Sequence, residues 1–499
     1  MRCLNSKLIL ELTISECILR QIKSFLLILN IFFIANINAF AEDILLPNIG
    51  IDNSSRFSEA EEKLLGEVFM RQVRLGLPVN DEPEVTAYIS QLGFKLIANS
   101  EFQSRHFNFF VINDPNINAF AGPNGYIGIN AGLILNSENE SELTSVMAHE
   151  IAHVTQRHLE RSINSGEKMS LPTAAAIIAA IVLGSSANIN LTEAAIFATI
   201  AANYQSQLSF SRAHELEADH IGMRILTNSG YNPHSMPSFF EKLQQGNRLA
   251  ESQIPEFLST HPVTVNRIAE SRNRASQYEY IPKPDSLSYF LAKAKLRVTT
   301  SDNIKKLING LKAELNAGSF QNNIAHHYAY ALALLEDEQF DAARTEINSV
   351  IKLDRSRIPF LILKANIEIK SNHQDKGYRM FEDALILNPG NPSLSLYFAD
   401  ALLINKNASK AKKILKNIKN YQPTPIYYQL LAKAEEESGQ PAESHQLLAE
   451  YYLMYDQVGI AIDHLQQALR KSGVSEVDKE NIKARIQEIK TMTRLAENL

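Results

Sequence analysis

The C-terminal half repeats itself every 34 residues, and that recurrence limits the fold more than any other feature. Ala331, Ala365 and Ala399 are 34 apart, as are Ala343, Gly377 and Ala411. Phe381 and Leu415 keep the interval, and so do Pro389 and Pro423. Small residues at fixed points let paired helices approach closely, and a proline ends the second helix of a unit. From about residue 288 the pattern is almost purely helical, so a stack of helix pairs is predicted. Three units fall in 325–424. Another restarts around 441–471, where Ala449 and Ala461 stand 12 apart like Ala331 and Ala343. Its offset is not a multiple of 34, which calls for an extra helix over about 425–438.

The other end reads as a targeting signal. Phe25 to Ala35 is an apolar run preceded by Arg20 and Lys23, and Ala39-Phe40-Ala41 is a small-x-small cleavage pattern. Cleavage is expected after Ala41; the competing reading is an uncleaved anchor. Both cysteines, Cys3 and Cys17, precede the apolar run. The exported part then has none, which excludes a disulfide scaffold and a four-cysteine zinc ribbon. Any metal site must use His, Asp and Glu. The net charge of −6 argues against a sequence-independent nucleic-acid binder. Residues 1–41 carry +2, leaving −8 after cleavage. An acidic, exported, cysteine-free chain fits a bacterial periplasm.

At 499 residues the chain has room for several domains, and 45% hydrophobic with 21% charged residues is ordinary for globular proteins. Residues 42–57 read as an extended arm, and 58–100 as helical, with Leu64, Leu65, Val68 and Phe69 on one stripe. Phe107 to Ile112 and Tyr126 to Ile129 are β-like, and helices are expected over about 141–163 and 191–228. Leu171 to Leu183 is too short an apolar run to span a bilayer and reads as a buried or interfacial helix. The prolines at 262, 282 and 284 suggest the link to the repeats. The expected division is a signal peptide over 1–41, one domain over 42–285 and the repeats over 286–499.

The chemistry centres on His149-Glu150-Ile151-Ala152-His153. Histidines at i and i+4 stand about 40° apart around a helix, so both imidazoles can reach one metal ion. Neutral imidazole suits Zn²⁺. Glu150 lies at the edge of that face, where its carboxylate can take a proton from water. The alternative is two histidines hydrogen-bonded in a core. The best third ligand is Glu215, in His214-Glu215-Leu216-Glu217-Ala218-Asp219. A helix there puts Glu215 and Asp219 on one face and Glu217 on another. Three carboxylates in a largely apolar helix are costly without a cation. Asp219 then either orients an imidazole or donates a proton to the leaving group; otherwise it is a surface acid.

HEIAH, the later SRAHELEAD and the preceding NAFAGPNGYIGINAGLI together resemble the zinc metallopeptidases of the CAAX prenyl protease and HtpX type. The C-terminal units resemble tetratricopeptide repeats, which the soluble, exported branch of that family carries. The resemblance covers nearly all the chain after the signal. It implies a mainly α protein: a gluzincin-like α+β metalloprotease domain with a small β-sheet, then an all-α repeat solenoid. It also implies one Zn²⁺ per chain held by His149, His153 and Glu215, Glu150 as catalytic base, and a proton donor at Asp219. The partners it implies are unfolded or misassembled outer-membrane proteins and the β-barrel assembly machinery, and it leaves peripheral membrane contact open. The chain departs in having Asn124 where many members have glycine, and in lacking cysteine for disulfide regulation of the repeats.

The expected activity is therefore zinc-dependent endopeptidase of the periplasm, with a chaperone-like role in outer-membrane protein assembly. The competing class is a tetratricopeptide adaptor with little proteolytic activity. Gly122 to Gly125 should form a turn leading into a strand over Tyr126 to Asn130, and an edge strand near a metal can pair with extended substrate. His261, in STHPVTVNRI, is expected either to stabilise an oxyanion or to occupy the open metal position; a structural histidine is the alternative. His158, His214 and His220 read as surface residues or as supports behind the ligands. Lys406 to Lys419 and Glu336 to Asp341 read as solvated repeat faces.

Overall fold

The computed structural model describes residues 58–101, 106–164, 211–249, 256–280, 282–419 and 421–497. The expected signal, the arm over 42–57 and the apolar stretch at 171–183 lie outside these residues, as does the first part of the helix expected from 191. Among the described residues no helix is long and apolar enough to cross a membrane.

The first helical run is two helices. α1 (Glu59–Gly76) starts with a capping box between Ser58 and Glu61. Pro78 stops it, since proline cannot continue the hydrogen-bond ladder. A short β1 (Val79–Asn80) and α2 (Pro83–Ala98) follow. Next come β2 (Asn108–Ile112), β3 (Ala119–Ala121) and β4 (Tyr126–Asn130). The sheet order is β1-β2-β4-β3, with β2 and β4 parallel and β3 antiparallel to β4. The turn at Gly122–Gly125 forms as expected, with Asn124 at φ 52. The strand it leads into, β4, is interior; the edge strands are β1 and, next to β4, β3, whose Phe120 pairs with Gly128.

α3 (Ala131–Asn136) leads to α4 (Glu140–Thr155), which is buried along its whole length. Asn139 caps α4 by accepting from the Glu142 amide at 2.9 Å. The expected run to 163 breaks at Arg157, which has φ 55, and α5 (His158–Asn164) turns away. α6 (Arg212–Asn228), capped by Ser211, packs on α4. Gly222 permits that contact: a Cβ there would stand 3.1 Å from the Ala148 carbonyl oxygen and from the His149 nitrogen. α7 (Ser235–Leu249), α8 (Glu256–Thr260) and α9 (Val265–Ala275) complete this half. Pro262 therefore lies within the fold, between α8 and α9, and the link to the repeats runs over 276–286.

The repeats follow as antiparallel pairs. α10 (Leu287–Thr299) and α11 (Ile304–Ala317) precede the first unit recognised from spacing. That unit is α12 (Asn323–Glu336) with α13 (Phe340–Ile351). The next two are α14 (Ile358–Lys370) with α15 (Gln374–Leu387), and α16 (Pro392–Ile404) with α17 (Ala408–Lys416). The expected extra helix is α18 (Pro425–Glu437); α19 (Pro441–Leu453), α20 (Val458–Arg470) and α21 (Glu476–Glu497) close the stack. The recurring small residues Ala331, Ala343, Ala365, Ala399 and Ala411 are all fully buried. The lysine run is not merely solvated: Lys412 and Lys416 pair with the buried Glu435 at 2.7 and 2.5 Å.

α10 belongs to two cores. Its Tyr289, Ala292 and Leu296 pack with the sheet and α4, while Leu291, Ala294 and Val298 pack with the first repeats. Between those faces, buried Lys295 pairs with Glu84 of α2 and donates to the Tyr397 hydroxyl at 3.1 Å. Tyr397 in turn donates to Glu82 at 2.7 Å. Further along, Gln72 of α1 donates to Asp456 at 2.8 Å. The solenoid thus touches the first half at its first helix, at its middle through Tyr397 and further along through Asp456.

Candidate metal centre

α4 and α6 cross at Gly222, and that crossing brings their functional side chains together. His149 and His153 lie one turn apart on α4, with Nε2 atoms 3.0 Å apart. Glu215 faces them from the first turn of α6, where the helix dipole favours an acid. Its oxygens lie 3.5 Å from His149 Nε2 and 3.5 Å from His153 Nε2. His261 closes the group, with Nδ1 2.9 Å from Glu215 Oε1 and 3.4 Å from His149 Nε2. α8 holds it there: the His261 amide donates to the Phe257 carbonyl at 2.8 Å, and the two rings stack 4.9 Å apart. One ligand atom from each of these four buried residues lies within 4.8 Å of the others.

Glu150 is fully buried beside them, 3.5 Å from His261 Nε2. Burial pushes its carboxyl above the ordinary range; His261 and His149 only partly oppose this. Asp219, one turn beyond Glu215, sits 3.1 Å from His149 Nδ1. Burial alone would lower His149, but hydrogen bonding to Asp219 and Glu215 outweighs it and raises the imidazole to about 9. Burial and the charge at His149 push His153 well below its usual value.

Two comparisons bear on this geometry. The description "Peptidase family M48" matches residues 83–275, and "Tetratricopeptide repeat" matches 374–434. The beta-barrel assembly-enhancing protease of Escherichia coli (strain K12) is 32% identical over 456 residues, 91% of this chain and 93% of that protein. A putative counterpart in Vibrio cholerae is 34% identical over 452 residues, 90% of this chain and 93% of that one. The mitochondrial metalloendopeptidase OMA1 of Schizosaccharomyces pombe is 31% identical over 232 residues, 45% of this chain and 64% of that one. The chain belongs to peptidase family M48.

As an M48 metalloprotease it requires a metal, and the four-residue group suits one. Three imidazoles and a carboxylate, all buried, converge without cysteine, a donor set for a divalent cation of borderline softness. Both Glu150 oxygens are buried without a hydrogen-bond partner, a cost that a cation between the helices offsets, while Glu215 Oε2 already faces Arg267 Nη1 at 2.7 Å.

The M48 chain also uses a residue that the sequence did not single out. Arg267, within STHPVTVNRI, is buried and places its guanidinium on Asp219, Glu215 and the Pro262 carbonyl. The signal was available: two acids on one buried helix face need a cation, and this is the first arginine after His-Pro. Of the three histidines read as surface residues or supports, His158 takes the supporting place. It is fully buried against His153, whereas His214 is half-buried and His220 exposed. Burial pushes His158 down to about 4.

Proposed function

We propose that this protein is a periplasmic zinc endopeptidase, with the signal removed after Ala41, a catalytic domain over 42–285 and repeats over 286–499. Its substrates are unfolded or misassembled outer-membrane proteins, and it works alongside the β-barrel assembly machinery with a chaperone-like share in assembly. The observation that carries this reading is the buried convergence of His149, His153 and Glu215 beside a fully buried Glu150. His149, His153 and Glu215 hold one Zn²⁺. Bound there, zinc polarises the scissile carbonyl and lowers the pKa of water.

The residues divide the remaining tasks. Glu150, raised by burial, accepts a proton from the attacking water and passes it to the leaving amine. Asp219 orients His149 through Nδ1. Burial would raise its carboxyl, but Arg267 and His149 hold it below the usual range, which suits an orienting anion better than a proton donor. The edge strand β3 lies against α4 and can pair with extended substrate through main-chain hydrogen bonds. His261 sits against Glu215 and His149 and must move aside for a substrate carbonyl.

The partner class rests on the beta-barrel assembly-enhancing relatives, which align over nine-tenths of this chain. A groove of about 510 Å³ between α2 and the repeats, lined by Gln91, Asp354, Arg357, Asn388 and Asn391, offers charged and amide groups to a bound polypeptide. An adaptor with a vestigial centre is disfavoured, because the ligand group and Glu150 are both intact. The test is degradation of an urea-unfolded outer-membrane protein by the full chain, with and without a chelator. Metal-independent degradation, or none under any metal, would remove the enzyme reading.

A further inference from the structure

The two ligand histidines are supported differently. His149 meets a carboxylate directly, through Nδ1 and Asp219. His153 meets another imidazole: its Nδ1 lies 2.9 Å from Nδ1 of His158. The far side of His158 meets a carboxylate, with Nε2 3.1 Å from Glu217 Oε2. Arg161 holds the same oxygen at 2.9 Å. The backbone arranges this on purpose-built terms. The left-handed Arg157 ends α4 and starts α5 so that His158 folds back under His153. The His214 ring then stacks on His158, 4.5 Å away and 11° from parallel, and fixes its plane.

Proton positions follow from these contacts. A neutral His153 that binds metal through Nε2 carries its proton on Nδ1 and donates it. His158 Nδ1 must then be the bare acceptor, so its own proton sits on Nε2. That N–H points at Glu217. Every donor has one acceptor, and the chain of bonds runs in one direction from ligand to carboxylate.

We propose that Glu217 is the remote carboxylate of His153, acting through His158 as a positioning relay that fixes the ligand's tautomer and strengthens its hold on the metal. The inference rests on the reading of His153 as a ligand. Each ligand histidine then ends on an arginine-held carboxylate: Asp219 with Arg267, and Glu217 with Arg161. The helix position of Glu217, away from Glu215 and Asp219, is what this task requires.

The experiment measures Zn²⁺ affinity of the full chain by competition with a chromophoric chelator at pH 7.5. Loss of such an outer partner typically weakens binding about 10–100-fold. Glu217→Gln, half-exposed and isosteric, should therefore weaken affinity about tenfold or more. His158→Asn keeps an acceptor where Nδ1 stood but cuts the link onward, so adding Glu217→Gln to it should change nothing. A merely structural pair would instead give losses that multiply, or a lowered denaturation midpoint in chelator with affinity intact. Either result, or wild-type affinity in Glu217→Gln, overturns the relay. His153→Ala is the control: if it binds as tightly as wild type, the ligand reading fails and the relay with it. If His153→Ala loses binding while Glu217→Gln does not, only the relay fails. Should His158→Asn not fold, Glu217→Gln and Arg161→Met decide alone, since both alter half-exposed side chains.

Discussion

Arg267 grips Asp219 with two parallel hydrogen bonds, Nε to Oδ2 and Nη2 to Oδ1, each 2.8 Å long. Its remaining nitrogen, Nη1, lies 2.7 Å from Glu215 Oε2 and donates to the Pro262 carbonyl at 2.9 Å. One guanidinium therefore ties the two buried acids of α6 to the turn that carries His261. Such a fork cannot be copied by an ammonium, which offers a point charge without the planar geometry.

Removing that charge leaves two buried carboxylates facing each other. Arg267→Met should cost about 3–5 kcal/mol of unfolding free energy in the metal-free protein. Arg267→Lys should cost less while still weakening metal retention. Denaturant unfolding in the presence of a chelator reads both. Full stability in Arg267→Met would mean that the acids are not ionised in the fold.

Glu150→Gln and Glu215→Ala should separate chemistry from binding. The first keeps the metal and loses at least about 10²-fold in peptide hydrolysis, as expected for a lost general base. The second loses a ligand and with it metal affinity. Metal analysis beside a turnover assay distinguishes them; near-normal turnover in Glu150→Gln would refute the base assignment.

Metal uptake should release protons at neutral pH. With the metal absent, the carboxylates around His149 raise it to about 9, so at pH 7.5 it carries a proton. A ligand imidazole must be neutral. Apparent affinity should therefore climb with pH and level off above about 9. Calorimetry in buffers of different ionisation enthalpy would show the released proton, and pH-independent affinity from 7 to 9 would contradict it.

His261→Ala should raise cleavage of an unfolded substrate. The imidazole sits 2.9 Å from Glu215 and 3.4 Å from His149, in the space an incoming carbonyl needs. A lower rate would favour the oxyanion role instead, and an unchanged rate would remove His261 from the reaction.

Local pattern carried the repeats and the core of the site. The 34-residue interval marks buried alanines, and i, i+4 spacing puts His149 and His153 on one helix face; both are properties of a helix alone. What escaped depends on how helices cross. Gly222 is unremarkable in sequence, yet a Cβ there would crowd the Ala148 and His149 backbone at 3.1 Å, so a larger residue would push α4 and α6 apart. Arg267 lies 48 residues from Asp219, and His158 59 from Glu217, so no local period links them. β3 lies in a stretch that reads as loop between the two strand-like segments, and β4 is interior because it pairs with β2 on one side and with β3 on the other. Proline at 262 read as a boundary because a break in helix looks the same inside a domain as between two.

The last prediction concerns where the chain can be cut. A boundary at 285 follows the sequence, yet α10 begins at Leu287 and fills part of the catalytic core with Tyr289, Ala292 and Leu296. The Tyr289 hydroxyl also donates to the Ser137 carbonyl at 2.8 Å, just before α4. Ending the chain at 285 removes these groups and strips Glu84 of Lys295, leaving a buried carboxylate without its cation. Ending it at 302 keeps all of α10 and the Glu84–Lys295 pair, exposes Leu291, Ala294 and Val298 on its outer face, and removes the Tyr397 hydroxyl from Lys295 and Glu82. The 302 form should fold, bind metal and cleave an unfolded protein in a chelator-sensitive way, while losing association with the assembly machinery. The 285 form should be markedly less stable, lacking those three core side chains as well as the ion pair. Equal denaturation midpoints for the two would show that α10 serves the repeats alone. Undiminished co-purification of the 302 form with the assembly machinery would leave the repeats as a cover or clamp for substrate, with no part in recruitment.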